Sequence, residues 1–261
     1  MQRSKVLLAT SMLLAVFGAS CATPPAGSAE VTPQRPKFSR DTRTTASGTL
    51  ELEAGLAIDP GDSLDSPMAL KYGLDANTEL FADFSPLRVR DRPGDDEVGI
   101  GDLGLGVRQR VRDETESDPS FGWRLRAKLP TADEDEGLGS GELDLFGAAI
   151  ASKTLEAYFV TGFYQLGLLG ERRDAGLDLE HGLAVSATRP IDESWRGFGE
   201  LALRWSPERD RESLFTTLGV GYAARPSLVF DAGLVLGLSD DAPDFALLVG
   251  LTQSLGALRD Q

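Results

Sequence analysis

In PSFGWRLRAKLP, residues 119–130, Phe121, Trp123, Leu125, Ala127 and Leu129 take the odd positions and Arg124, Arg126 and Lys128 the even ones between them. A period of two puts successive side chains on opposite faces of an extended strand; a helix would scatter the same apolar set around its surface. The segment therefore predicts a strand with an apolar medium on one side and water or fixed charge on the other. Two settings meet that demand. One is a sheet whose apolar face covers a soluble core, and the other is a membrane barrel with lipid outside and a wet interior.

The pattern recurs in segments at 49–58, 67–75, 78–86, 99–112, 120–130, 141–152, 155–166, 177–188, 195–206, 213–224, 227–238 and 243–255. Most are longer than the five or six residues usual for a globular strand and match the roughly 9–11 needed to cross a bilayer at a tilt. Proline, which cannot donate to a strand ladder, falls only in the connections or at strand ends, as at Pro60, Pro119, Pro130, Pro207, Pro226 and Pro243. Leu103, Leu105, Val107 and Val111 oppose Asp102, Gly104, Arg108 and Arg110; Leu201, Leu203 and Trp205 oppose Glu200 and Arg204. Two segments break the rule: Phe146 and Ile150 share a parity with Glu142 and Asp144, and 155–166 carries aromatics on both faces. Connections after odd-numbered segments, such as PLRVRDRPGDDEV and TADEDEGLGS, are long. Those after even-numbered ones, such as DANT and RPIDES, are short, with DETESD as an exception. Long loops at one end and short turns at the other are the habit of outer-membrane barrels.

The fold class expected is thus all-β: a single antiparallel transmembrane β-barrel of about twelve strands over 48–255. A signal peptide over 1–21 and a flexible periplasmic leader over 22–47 precede it, and a tail over 256–261 follows. Arg3 and Lys5 followed by the apolar run from Val6 to Phe17 read as an export signal too short to span a membrane. Gly18-Ala19-Ser20-Cys21 resembles a lipobox, which makes Cys21 a candidate lipidation site. Ser20-Cys21-Ala22 offers ordinary signal peptidase its small residues instead. Cys21 is the single cysteine and His181 the single histidine, so neither a disulfide nor a transition-metal site is expected, and no cofactor. A formal charge of −15 argues against nucleic acid as a partner.

GIGDLGLGVRQR (99–110), RLRAKLPTADEDEGLGSG (124–141), RPSLVFDAGLVLGLSDDAPDF (225–245) and LLVGLT (247–252), in that order, resemble the outer-membrane barrels called the MetA-pathway of phenol degradation family. The resemblance covers roughly 48–255 and implies a Gram-negative outer-membrane transporter for small aromatic or hydrophobic compounds. Such barrels usually end on an aromatic residue read by the barrel-assembly machinery; this chain has Leu255 there and continues through GALRDQ. Expected partners are outer-membrane lipid and lipopolysaccharide, that assembly machinery and a small-molecule solute.

The candidate site is a lumen charge ladder. Arg108, Arg110, Arg124, Arg126 and Lys128 supply the cations, and Glu142, Asp144, Glu51, Glu53, Glu79 and Asp83 the carboxylates. It reads either as a constriction whose transverse field orients polar solutes or as a salt-bridge network filling a narrow barrel. The acidic loops read as a soluble rim, since DEDE lacks the ligand spacing of a calcium loop. His181 shares the outward parity of Leu179 and Leu183, opposite Ser186 and Glu180, so no catalytic triad and no enzyme is expected. GIGDLGLG has phosphate-loop-like glycines but continues as a strand. Trp195, Trp205, Tyr222, Phe84 and Trp123 lie near strand ends, where an interfacial girdle would place them. The function expected is a passive uptake channel, working by diffusion through the lumen, or by lateral transfer of a hydrophobic solute if the lumen is plugged. The alternatives are a non-conducting structural or adhesive barrel, and a secreted or lipid-anchored soluble barrel with its Leu-rich faces inward.

Overall fold

The computed structural model describes residues 30–91, 96–171 and 176–258. The signal peptide and Cys21 lie outside the described residues, as do residues 92–95 of the loop PLRVRDRPGDDEV.

Twelve long strands, every neighbour antiparallel, form the wall. They are β1 (Thr49–Asp59), β3 (Met68–Gly73), β4 (Thr78–Phe84), β7 (Leu103–Arg112), β8 (Ser120–Leu129) and β9 (Asp144–Leu155), followed by β10 (Tyr158–Gly170), β11 (Leu177–Pro190), β12 (Trp195–Ser206), β13 (Arg211–Arg225), β14 (Leu228–Gly237) and β15 (Phe245–Ala257). Pairing of β15 with β1, in register from Thr49↔Ala257 to Ile58↔Leu247, closes the sheet and leaves the wall without an edge. All twelve expected segments are strands. Two connections hold more order than expected: β2 (Ser63–Asp65), β5 (Arg88–Arg90) and β6 (Glu97–Gly99) extend the long-loop end as a short ribbon off β1. β15 also runs two residues into the expected tail, with Leu255 on the outer face where an aromatic would usually stand.

The faces follow the period-two reading. Leu125, Leu183, Val185, Leu201, Leu218 and Leu247 are exposed on the outside, whereas Glu51, Glu53, Glu79, Arg108, Glu200 and Thr217 are buried within. Apolar outside and polar inside is the arrangement of a barrel set in lipid, and it is the reverse of what the soluble ligand-binding alternative requires. Trp195 and Tyr222 meet at the short-turn end with ring centroids 4.9 Å apart. Toward the long-loop end, on the outer face, His181 stacks on Trp205 at 4.6 Å and its Nδ1 lies 2.9 Å from Tyr164 Oη.

The two irregular segments have a common cause. Ile150 on β9 and Phe163 on β10 point inward, join Ala184 and Ala202, and make a small apolar patch inside an otherwise polar lumen. What covers that patch comes from the residues before β1.

Candidate functional site: the lumen and its insert

Residues 30–47 are not a free tail. Over its described part, the expected flexible leader is corrected to a loop packed inside the barrel, with Gln34, Lys37, Ser39, Asp41, Thr42, Thr44 and Thr45 all buried. It enters at the short-turn end, where Val31 N–H donates to Pro226 O at 2.9 Å, and leaves beside the β3–β4 turn, where Thr44 Oγ1 donates to Ala76 O at 3.2 Å. At its apex Phe38 meets Phe163 and Phe215 edge-on, with centroids 5.6 and 6.0 Å apart, and covers the inward apolar patch.

A chain segment without strand or helix leaves its backbone N–H groups unpaired, and burying them unpaired is unfavourable. The wall solves this with carboxylates. Thr32 N–H donates to Glu51 at 3.0 Å, Gln34 N–H to Glu53 at 2.7 Å and Thr45 N–H to Glu79 at 2.9 Å. Glu200 accepts from Phe38 N–H at 2.7 Å and from Ser39 N–H at 2.8 Å. Hydrogen bonds to an ionised acceptor are about twice as strong as neutral ones, so four glutamates hold a segment that has no secondary structure of its own.

Cations on both partners balance those carboxylates. Lys71 on β3 bridges Glu51 and Glu53 and also donates to Thr32 O, so it ties insert and wall together. On the insert, Arg35 faces Asp231 at 3.6 Å and donates to Val249 O at 3.0 Å. It occupies space left by the cross-strand pair Gly55 and Gly250: a Cβ at Gly55 would sit 2.1 Å from Arg35 Nη2. Arg40 Nη1 donates to the carbonyls of Phe38 and Ser39 and to that of Lys37. Hydroxyls finish the joint: Ser39 Oγ and Lys37 Nζ reach Ser186 Oγ at 3.1 and 3.3 Å, and Thr42 Oγ1 lies 2.7 Å from Ser120 Oγ.

The structure brings most of the expected charge ladder together, in pairs rather than as one field. Arg108 bridges Glu79 at 3.0 Å, Arg126 bridges Asp83 at 2.6 Å, and Lys128 bridges Asp144 at 2.5 Å with Asp102 at 3.5 Å. Arg124 lies over the Phe81 ring at 4.3 Å. Two residues lie away from the ladder. Arg110 sits at the short-turn rim, donating to Asn77 and Asp113, and Glu142 is in the connection before β9. Glu200, Lys71, Asp231 and Ser186 were missed, as were Gln34, Lys37, Phe38 and Arg40 on the insert. The wall residues have the inward parity that was legible; their partners were not.

Beyond the insert, toward the long-loop end, a cavity of about 430 Å³ remains, lined by Phe38, Arg40, Phe81, Arg124, Phe146 and Phe163 among others. Its lining carries eight cationic side chains and five carboxylates, the opposite balance to the whole chain at −15.

No protein-family model matches the chain, and no curated protein sequence matches it. Solved structures do. The COG4313 outer membrane channel from Pseudomonas putida F1 superposes with a TM-score of 0.63 at 16% identity, over 86% of this chain and 100% of that one. The NanC porin gives 0.57 at 8% identity, over 78% of this chain and 98% of its own. The KdgM porin, solved in complex with disordered oligogalacturonate, gives 0.56 at 8% over the same shares. The fold is that of outer-membrane channel barrels.

Proposed function

We propose that this protein is a Gram-negative outer-membrane channel for passive uptake of small molecules, with the chamber at the long-loop end as its entrance and residues 30–47 as its gate. The observation that carries the reading is the way the insert is held. Its contacts are hydrogen bonds and ion pairs to the wall with one aromatic anchor, so it can leave a lumen whose polar groups water would then satisfy. Likeness to the COG4313 channel and the two porins supports the fold on which this rests. The finer assignment, membership of the phenol-degradation family with aromatic or hydrophobic solutes, is supported by the order of its motifs and by the phenylalanines of the chamber. Export by the segment 1–21, modification of Cys21, insertion by the barrel-assembly machinery and contact with lipopolysaccharide belong to the same proposal.

The test is conductance. Full-length protein, shown to be folded by a boiling-dependent shift in gel mobility, is placed in planar bilayers. Discrete steps that enlarge when Glu200→Gln weakens the insert support a gated channel. Silence from both proteins despite correct folding would leave the structural or adhesive barrel. A filled lumen also favours lateral transfer of a hydrophobic solute as the second reading; it predicts solute uptake into vesicles without ionic conductance.

A further inference from the structure

Arg108 on β7 and Arg124 on β8 stand directly opposite one another in the strand register. Like charges at such a pair are unfavourable unless each is neutralised. Glu79 neutralises Arg108 on two oxygens, both at 3.0 Å. Asp83 is engaged by Arg126, through Nε at 2.9 Å and Nη2 at 2.6 Å. Among the described residues, Arg124 then has no carboxylate within ion-pairing distance, and neither has Arg40 on the insert, whose Nη1 is spent on backbone carbonyls. Both line the same cavity. Two guanidinium groups facing one chamber, neither paired directly with a carboxylate while the lining carries eight cations to five carboxylates, make a site for an anion.

The surroundings specify more than charge. Arg124 Cζ stands 4.3 Å over the centroid of the Phe81 ring, which holds its fork in place, and Arg126 lies over Phe146 at 5.5 Å. Phe38 and Phe163 complete an aromatic wall beside the cations. A planar guanidinium pairs best with a carboxylate, through two parallel hydrogen bonds, and phenylalanine edges and faces favour a flat apolar body.

Resting on the channel reading, we propose that the chamber is a binding site for aromatic monocarboxylates, with Arg124 and Arg40 taking the carboxylate and Phe81, Phe146 and Phe163 the ring. Neither residue reacts with the solute; the site concentrates and orients it above the insert. Because Arg40 belongs to the insert, an anion seated there contacts gate and wall at once, and its arrival alters the charge balance that holds the insert in place.

Calorimetry on full-length folded protein in detergent tests this, with benzoate as the probe, benzamide as its uncharged isostere and phosphate as an anion without a ring. Benzoate is expected to bind at least about tenfold more tightly than either comparison, since one charge-assisted bidentate contact is lost with benzamide. Arg124→Met keeps the stem over Phe81 and removes the charge; it is expected to weaken benzoate by a further factor of about 10 or more. Arg40→Met, outside the wall, supplies the same readout if the first variant fails to fold. Equal binding of benzoate and benzamide, phosphate binding as tight as benzoate, or unchanged benzoate affinity in folded Arg124→Met or Arg40→Met protein would each overturn the site. Benzoate binding without conductance would keep the site and remove the channel; conductance without benzoate binding would do the reverse.

Discussion

Gln34 and Asp41 exchange two hydrogen bonds across the insert: Gln34 Nε2 donates to Asp41 Oδ1 at 3.0 Å, and Asp41 N–H donates to Gln34 Oε1 at 2.9 Å. They close the two legs of the insert into a loop whose tip carries Pro36, Lys37 and Phe38. Burial acts to raise the Asp41 carboxyl, but the adjacent Arg43, bonded to it at 2.6 Å, and then Lys37 outweigh it and hold the group below the usual carboxylate range. A depressed folded-state value gives stability that is present above the unfolded value, near pH ~4, and is lost as pH falls through the folded one. The share of the hold on the insert that Asp41 supplies is therefore expected to stay constant from neutral pH down to about 4 and to be lost below it, raising conductance there. In Asp41→Asn that acid-induced opening should disappear; an unchanged acid response would assign it to another group.

Glu200 is the strongest single hold on the insert, because one buried side chain accepts two consecutive backbone N–H groups beside Phe38. Glu200→Ala leaves both donors without a partner, at roughly 1–3 kcal/mol each if they stay buried. The insert is expected to swing out instead. Protease cleavage within residues 30–47 in the folded barrel should accelerate, while the mobility shift on boiling persists.

Ser39 Oγ and Ser186 Oγ lie 3.1 Å apart, insert against wall. With Cys21 as the single native cysteine, Ser39→Cys with Ser186→Cys gives a defined pair at close range. Oxidation should lock the insert and suppress conductance, and a reductant should restore it. Conductance unaffected by the crosslink would mean that solutes pass without moving the insert.

Leu125 stands on the outer face of β8, 53% exposed in the isolated barrel and flanked by the inward Arg124 and Arg126. In lipid, Leu125→Arg should cost roughly 2–4 kcal/mol near the bilayer midplane, seen as a lowered urea midpoint for unfolding from vesicles. In water the same change would be nearly neutral, so this variant separates a membrane barrel from a soluble one.

The sequence by itself determined the wall. Strand positions, their inward and outward faces and the alternation of long and short connections follow from a period-two pattern that each strand carries locally, and Arg124 and Arg126 face inward where that pattern puts them. The sheet's closure through Thr49↔Ala257, and what fills the lumen, only the tertiary structure decided. Residues 30–47 have the composition of a free linker because they lack the apolar side chains a core requires. They pack all the same, since the interior they enter is itself polar: Glu51, Glu53, Glu79 and Glu200 serve their backbone, and one phenylalanine, Phe38, meets the patch that made two strands look irregular. Those partners lie far along the chain, 162 residues away between Phe38 and Glu200, a separation at which no local pattern reports a contact.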